Sequence, residues 1–318
     1  MSPPWQIPRI NGIRNLHIFS SDGQYLGGIW LNTPPHIDNA ELHLMCEVFI
    51  QFPAGTGFWR LHKLKGPNKD QVGRLVARNG VNVTEGHYVV LGAEGQPIAV
   101  TLNTEKVVRR AVTSQTSSRD QRENQRHFKD TLFTRDACRC VITGEDGPSY
   151  VNPRRGLLAA HIYPVARLEQ WQKDGCQNWI SGNSNTSLIA PAKMFSAQNG
   201  LILCTRAHLV FDFFEIAVNP DRGYRTIFFG FDKQGLGGRV LSRSTKSGPI
   251  DHQVSDECLR WHYRQAIMVH MRGAGEPPWD TYDDQGGDVG RIMELPDGAE
   301  ILEAELGNRL GAYVDVEV

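Results

Sequence analysis

The sequence predicts an α+β protein: a small N-terminal β domain, then a strand–loop–strand–helix segment with additional α/β elements. Three observations support this. Short runs of β-branched and aromatic residues, parted by Gly, Pro, Asn and Asp, crowd residues 13–105. A charged stretch with apolar residues at helical spacing follows at 113–136. Beyond it, "GLLAAHIYP" and "GLILCT" are apolar runs, each bordered by polar groups that a core would exclude. At 318 residues the chain is long enough for two domains, each with its own core.

In chain order, "NLHIFSS", "YLGGIWL", "LMCEVFIQF", "HYVVLG" and "PIAVTL" predict strands of a small sandwich or barrel, with a hairpin turn at "SDGQ", 21–24. These make a β-rich domain over 1–110, in which His17, His36, His43, His62 and His87 are scattered and read as structural. Residues 111–136 read as a linker and an amphipathic helix, with Phe128, Leu132 and Phe133 on its apolar stripe. The second domain spans 137–275. In it "CRCVITG" and "LLAAHIYPVA" predict strands, and a long polar connection runs from about 170 to 195. "GLILCT" is a further strand with a helix from about 206, and "YRTIFFGF" another strand. "SDECLRWHYRQAIMVHM" predicts a helix capped by Ser255. An acidic segment, 276–318, ends the chain.

No apolar run approaches the roughly 20 residues that span a bilayer, and "MSPPWQIPRI" lacks a secretory h-region. A soluble intracellular protein, cytoplasmic or nuclear, is expected. The six cysteines include one C-x-C at 138–140 and no C-x-x-C, which argues against a zinc ribbon; an intracellular chain argues against a disulfide framework. Charge is uneven: residues 106–240 hold 19 basic and 12 acidic side chains, residues 241–318 hold 7 and 15. The middle of the chain can therefore face a polyanion, although a solvated basic surface has the same composition.

The polar groups around the two apolar runs decide the chemistry. His208 and Asp212, four apart on a helix, share one face and offer a nitrogen and an oxygen to a divalent cation. The same spacing also makes an ordinary surface hydrogen bond. His161 closes the first buried strand and Asn199 immediately precedes the second. The order His…Asn…His…Asp brings these groups to strand and helix ends that can converge.

In "RCVITG", "AAHIYPVA" and "AQNGLILCTRAHLVFD" the chain resembles the HNH, or ββα-metal, nuclease family. Through "RNLHIF", "FEIAVNP" and "LRWHYRQAIMVHMRGAGEP" it is similar more widely to fungal HNH-domain proteins. The resemblance implies metal-dependent hydrolysis of nucleic-acid phosphodiesters, DNA in preference to RNA. It implies His161 as general base, Asn199 as the residue holding strand against helix, and His208 and Asp212 as ligands of Mg²⁺ or Mn²⁺, with Zn²⁺ an alternative. It also implies Arg206 as a phosphate contact. Many family members carry Asp, Glu or His before the first His; here that position is Ala160, which leaves two protein ligands. The same pocket could instead serve a small organic substrate in a cyclisation, isomerisation or hydrolysis. No membrane partner is expected, and a homodimer is left open.

Overall fold

Asp38 starts the first helix by accepting the Glu41 backbone N–H at 2.8 Å, and that cap sets where helix replaces extended chain. The computed structural model describes residues 5–8, 13–34, 36–66, 68, 71–107, 119–182 and 193–275. The chain packs into two units. The first holds residues up to 107 together with 213–240 and 260–275; the second holds 119–212 and 241–259.

In the first unit, β1 (Leu16–Phe19) and β2 (Tyr25–Ile29) form a hairpin. Its turn places Gly23 at φ 87°, a left-handed conformation suited to glycine. Helix α1 (Asn39–Phe49) presents Leu42, Met45, Cys46 and Phe49 to the core. Residues 44–49 of "LMCEVFIQF" are therefore helix rather than strand, since the cap and the helical spacing outweigh β-propensity. Only β3 (Ile50–Gln51) is extended there, pairing with β7 (Thr101–Leu102). With β4 (Trp59–Lys65), β5 (Gln71–Val76) and β6 (Gly86–Gly92), the hairpin completes a five-stranded sheet ordered β2-β1-β6-β4-β5. Only β1–β6 is parallel, and the sheet is open rather than the closed barrel or sandwich that strand count suggested.

The second unit begins with α2 (Arg119–Arg135), whose Phe128, Leu132 and Phe133 are buried as their spacing predicts. "CRCVITG" is not a strand. It turns back on itself, with Gly144 N donating to Cys140 O at 2.8 Å and Cys140 N to Glu145 O at 2.9 Å. Strand β8 (Leu157–His161) follows, then α3 (Leu168–Lys173) within the polar connection, of which 183–192 lie outside the described residues. Strand β9 (Gly200–Cys204) pairs antiparallel with β8, His161 opposite Gly200 and Leu157 opposite Cys204. Helix α4 (Thr205–Asp212) continues directly from β9, and both α2 and α4 pack on the hairpin.

The chain then returns to the first unit as a second hairpin, β10 (Ile216–Asn219) and β11 (Arg225–Phe228). Helix α5 (Asp256–His270) closes the described chain. Ser255 caps it through Cys258 N, and its residues from Arg260 onward belong to the first unit, where Ala266, Ile267 and Met268 are buried. Among the described residues no helix is long and apolar enough to cross a membrane. The linker at 111–118 and the acidic segment 276–318 lie outside the described residues.

Candidate active site

Asn199 has no exposed surface, and its amide hydrogen-bonds main chain on two sides. Its Oδ1 accepts the Tyr163 N–H at 2.8 Å, while Nδ2 donates to the carbonyls of Tyr163 (3.1 Å) and Met194 (3.0 Å). Its own carbonyl accepts Ile162 N at 3.0 Å. One side chain thus fixes the path of the chain as it leaves β8, just after His161. An amide suits this because it offers both donor and acceptor, and each main-chain group it satisfies would otherwise be buried without a partner.

His161 is 7% exposed. Its ring stacks on Phe128 of α2, centroids 3.9 Å apart and 11° from parallel, and meets Phe195 edge-on at 5.6 Å. Gly200, across the hairpin from His161, makes room for that stack: a Cβ there would lie 2.4 Å from Phe128 Cζ and 2.7 Å from Leu132 Cδ1. A glycine is required at this position by close approach rather than by a left-handed backbone.

On α4, His208 Nδ1 lies 3.4 Å from Asp212 Oδ2, with about a quarter of each side chain exposed (23% and 25%). Two ligands at right angles on a small hard cation, each about 2.1 Å from it, stand about 3 Å apart. This pair therefore has the dimensions of one coordination edge. Such a cation keeps several waters and is bound through one or two carboxylates; Asp212 supplies one, and the His208 imidazole adds a nitrogen donor better suited to a transition-metal ion than to Mg²⁺. Among the described residues no cluster of three or more His, Cys, Asp or Glu side chains is placed to hold a metal. A closed zinc site with four protein ligands does not fit them. Arg206, at the start of α4, is paired with Glu145; both side chains are nearly half exposed (42% and 48%).

The sequence did not mark the residues that secure β9 from its other side. Arg135 and Asp136 form a buried ion pair at 2.7 Å, side chains 3% and 0% exposed. Asp136 Oδ2 accepts Ile202 N at 3.2 Å, Ser244 Oγ donates to Oδ1 at 3.1 Å, and Ile202 O accepts Val141 N at 2.9 Å. Arg135 donates to the carbonyls of Ala197 (2.8 Å), Gly200 (2.9 Å) and His252 (3.2 Å). Both charges are thereby surrounded by complementary groups, the condition under which a buried pair is tolerated. The short turn carrying Asn199 and the strand carrying Gly200 are held by this pair. The available signal was a charged dipeptide ending an apolar helical stripe, which is too common to single out.

Residues 140–219 match the HNH endonuclease family. The matched segment, 80 of 318 residues, takes in His161, Asn199, Arg206, His208 and Asp212. No curated protein and no solved structure matches the chain. The HNH match associates this segment, in general terms, with nuclease-type phosphodiester hydrolysis, a chemistry that in HNH nucleases generally uses a divalent metal.

Proposed function

We propose that the protein hydrolyses phosphodiester bonds of nucleic acid, DNA in preference to RNA, at the β8–β9–α4 site. His161 acts as general base toward the attacking water, its ring plane held by Phe128. Asn199 orients rather than reacts, fixing the main chain beyond His161, and misplacement there would cost on the order of a hundredfold in rate. His208 and Asp212 would hold a divalent cation, which when bound offsets charge on the phosphate and its leaving oxygen. Arg206 exchanges Glu145 for a phosphate oxygen.

The observation that carries this proposal is the clamp on Asn199. A wholly buried amide directs its hydrogen bonds to the backbone that follows His161, inside the segment that matches HNH endonucleases. The test gives wild type, His161→Ala and Asp212→Ala supercoiled plasmid, single-stranded DNA and RNA, with Mg²⁺ or Mn²⁺, over a salt series. Wild type should cut, less so as salt rises. His161→Ala should lose about 10²–10⁴ in rate with its circular dichroism unchanged. Asp212→Ala should lose cation binding in calorimetry. Cutting that persists in His161→Ala would remove that residue from the mechanism. A small organic substrate is the second proposal, and the phenyl rings of Phe128 and Phe195 around a 7% exposed His161 favour it. Cation binding without cleavage of any nucleic acid would select it.

A further inference from the structure

The turn at 140–144 folds around a sulfur atom. Thr143 N points at Cys140 Sγ from 3.4 Å, and the hydroxyl of the same residue donates to Cys204 Sγ at 3.9 Å. Thr143 thus contacts both sulfurs, although they are separated by 64 positions in the chain. The two segments are tied independently: Val141 N donates to Ile202 O, two residues before Cys204, and Cys140 N and O close the turn.

We propose that Cys140 and Cys204 are an oxidisable dithiol, converted by a peroxide or a small-molecule disulfide into an intramolecular disulfide that joins the 140–144 turn to the end of β9. Neither sulfur is needed by the hydrolytic mechanism above, so the proposal stands independently of it. Cys140 has no exposed surface, whereas Cys204 is 8% exposed and is the point where a small oxidant enters. The pair gives up its first proton easily. Cys140 is drawn down to about 5, chiefly by the hydrogen bond from Cys204 and also by those from Thr143, while Cys204 is pushed up chiefly by giving that hydrogen bond, then by burial and by the charge on Cys140. A shared thiolate is the nucleophile that oxidation requires.

The chemistry balances. With hydrogen peroxide, the Cys204 proton passes to the Cys140 thiolate, the Cys204 sulfur attacks one oxygen and the O–O bond breaks, giving a sulfenic acid and hydroxide. The hydroxide takes up the proton the pair had released and becomes the first water. Cys140 then attacks that sulfur, the S–S bond forms as the S–O bond breaks, and a second water leaves with the remaining thiol proton. Two thiols and one peroxide give one disulfide and two waters. With oxidised glutathione, two exchange steps give the same disulfide and two reduced glutathiones. The other thiols differ in setting. Burial pushes Cys46 up, and it pushes Cys176 to about 11 and Cys258 to about 12. Cys138 is half-buried with its sulfur toward Phe133 O at 3.9 Å.

The experiment treats the folded full-length protein with hydrogen peroxide or oxidised glutathione, alkylates remaining thiols, and maps peptides by mass spectrometry. The expected map shows one cross-link, Cys140 to Cys204, with the other four of six cysteines alkylated and reversal by dithiothreitol. The oxidised protein should melt several degrees higher, because the bond closes a long loop. Cross-linking should hold its rate as pH falls from neutrality toward about 5. Cys140→Ser and Cys204→Ser should each abolish the link; where a variant fails to fold, the wild-type map decides alone. A link through Cys138, six alkylated thiols after treatment, or a lasting single-sulfur adduct would each overturn the proposal.

Discussion

Asn199→Asp exchanges an NH₂ group for an oxygen and reverses what the site requires. The introduced carboxylate could still accept Tyr163 N, but would face the carbonyls of Tyr163 and Met194 with no proton to offer. Because position 199 has no exposed surface, water cannot compensate. The folded chain escapes part of the penalty by protonating the carboxyl, which then donates to one carbonyl and leaves the other unpaired, at about 1–3 kcal/mol. Full burial raises a carboxyl by up to about 3–5 pH units. A rise of about 3 units above the unfolded value near 3.9 costs roughly 4 kcal/mol more at neutral pH. The sum, about 5–7 kcal/mol, is a large part of a typical domain's stability. The sign follows from proton binding: between the two pKa values the folded variant holds more protons than the unfolded one. Stability relative to wild type is therefore best preserved below about pH 4 and falls by about 1.4 kcal/mol per unit as pH rises to about 7. Urea unfolding from pH 4 to 8 would measure this, followed by fluorescence of Trp171 and Trp179, which pack against Tyr163 (4.9 and 6.3 Å). Asn199→Ala should show a gap without the slope. A gap below about 1 kcal/mol, or one flat with pH in Asn199→Asp, would mean that the amide is not the buried clamp described.

Two further outcomes are expected. Arg135→Leu leaves Asp136 buried and uncompensated, and should cost about 3–5 kcal/mol in the same unfolding assay; a loss under about 1 kcal/mol would count against a buried pair. In the first unit, burial draws the His270 imidazole down to about 4, against the Nε2 hydrogen bond to Phe213 O. Its folded value lies below the unfolded one near 6.5, so the stability it contributes is present above about pH 6.5 and is lost as pH falls toward 4. His270→Gln should flatten that acid limb, and an unchanged slope would assign it to other groups.

The parts of the fold legible in the sequence are the local ones. Strand period and the four-residue spacing of His208 and Asp212 put that pair on one helix face, and the buried stripe of Phe128, Leu132 and Phe133 follows from helical spacing. Residues 44–49 misled because Val48 and Phe49 favour strand, while the deciding cap, Asp38, lies six residues upstream of Leu44. "CRCVITG" misled because its bonds run back to Gly144 and Glu145 rather than along a strand partner. The Arg135–Asp136 anchorage could not be read at all. Its partners at 197, 200, 202, 244 and 252 are brought to it only by the finished fold.

The discontinuity of the first unit has a consequence for synthesis. Its core joins Leu16, Ile18 and Phe49 to Ala266, Ile267 and Met271. On a ribosome adding about 5–20 residues per second, the stretch between residue 107 and the end of α5 takes roughly ten to thirty seconds to appear. For that interval the early sheet lacks the helix that completes its apolar face; the second unit, whose Asp136 and Arg135 bond to Ser244 and His252, also waits for 241–259, but for a shorter time. The nascent first unit is thus the segment most in need of chaperone cover. A stop or frameshift anywhere before α5 would leave Leu16, Ile18 and Phe49 without Ala266, Ile267 and Met271 to cover them, whatever the state of the candidate site on β8, β9 and α4.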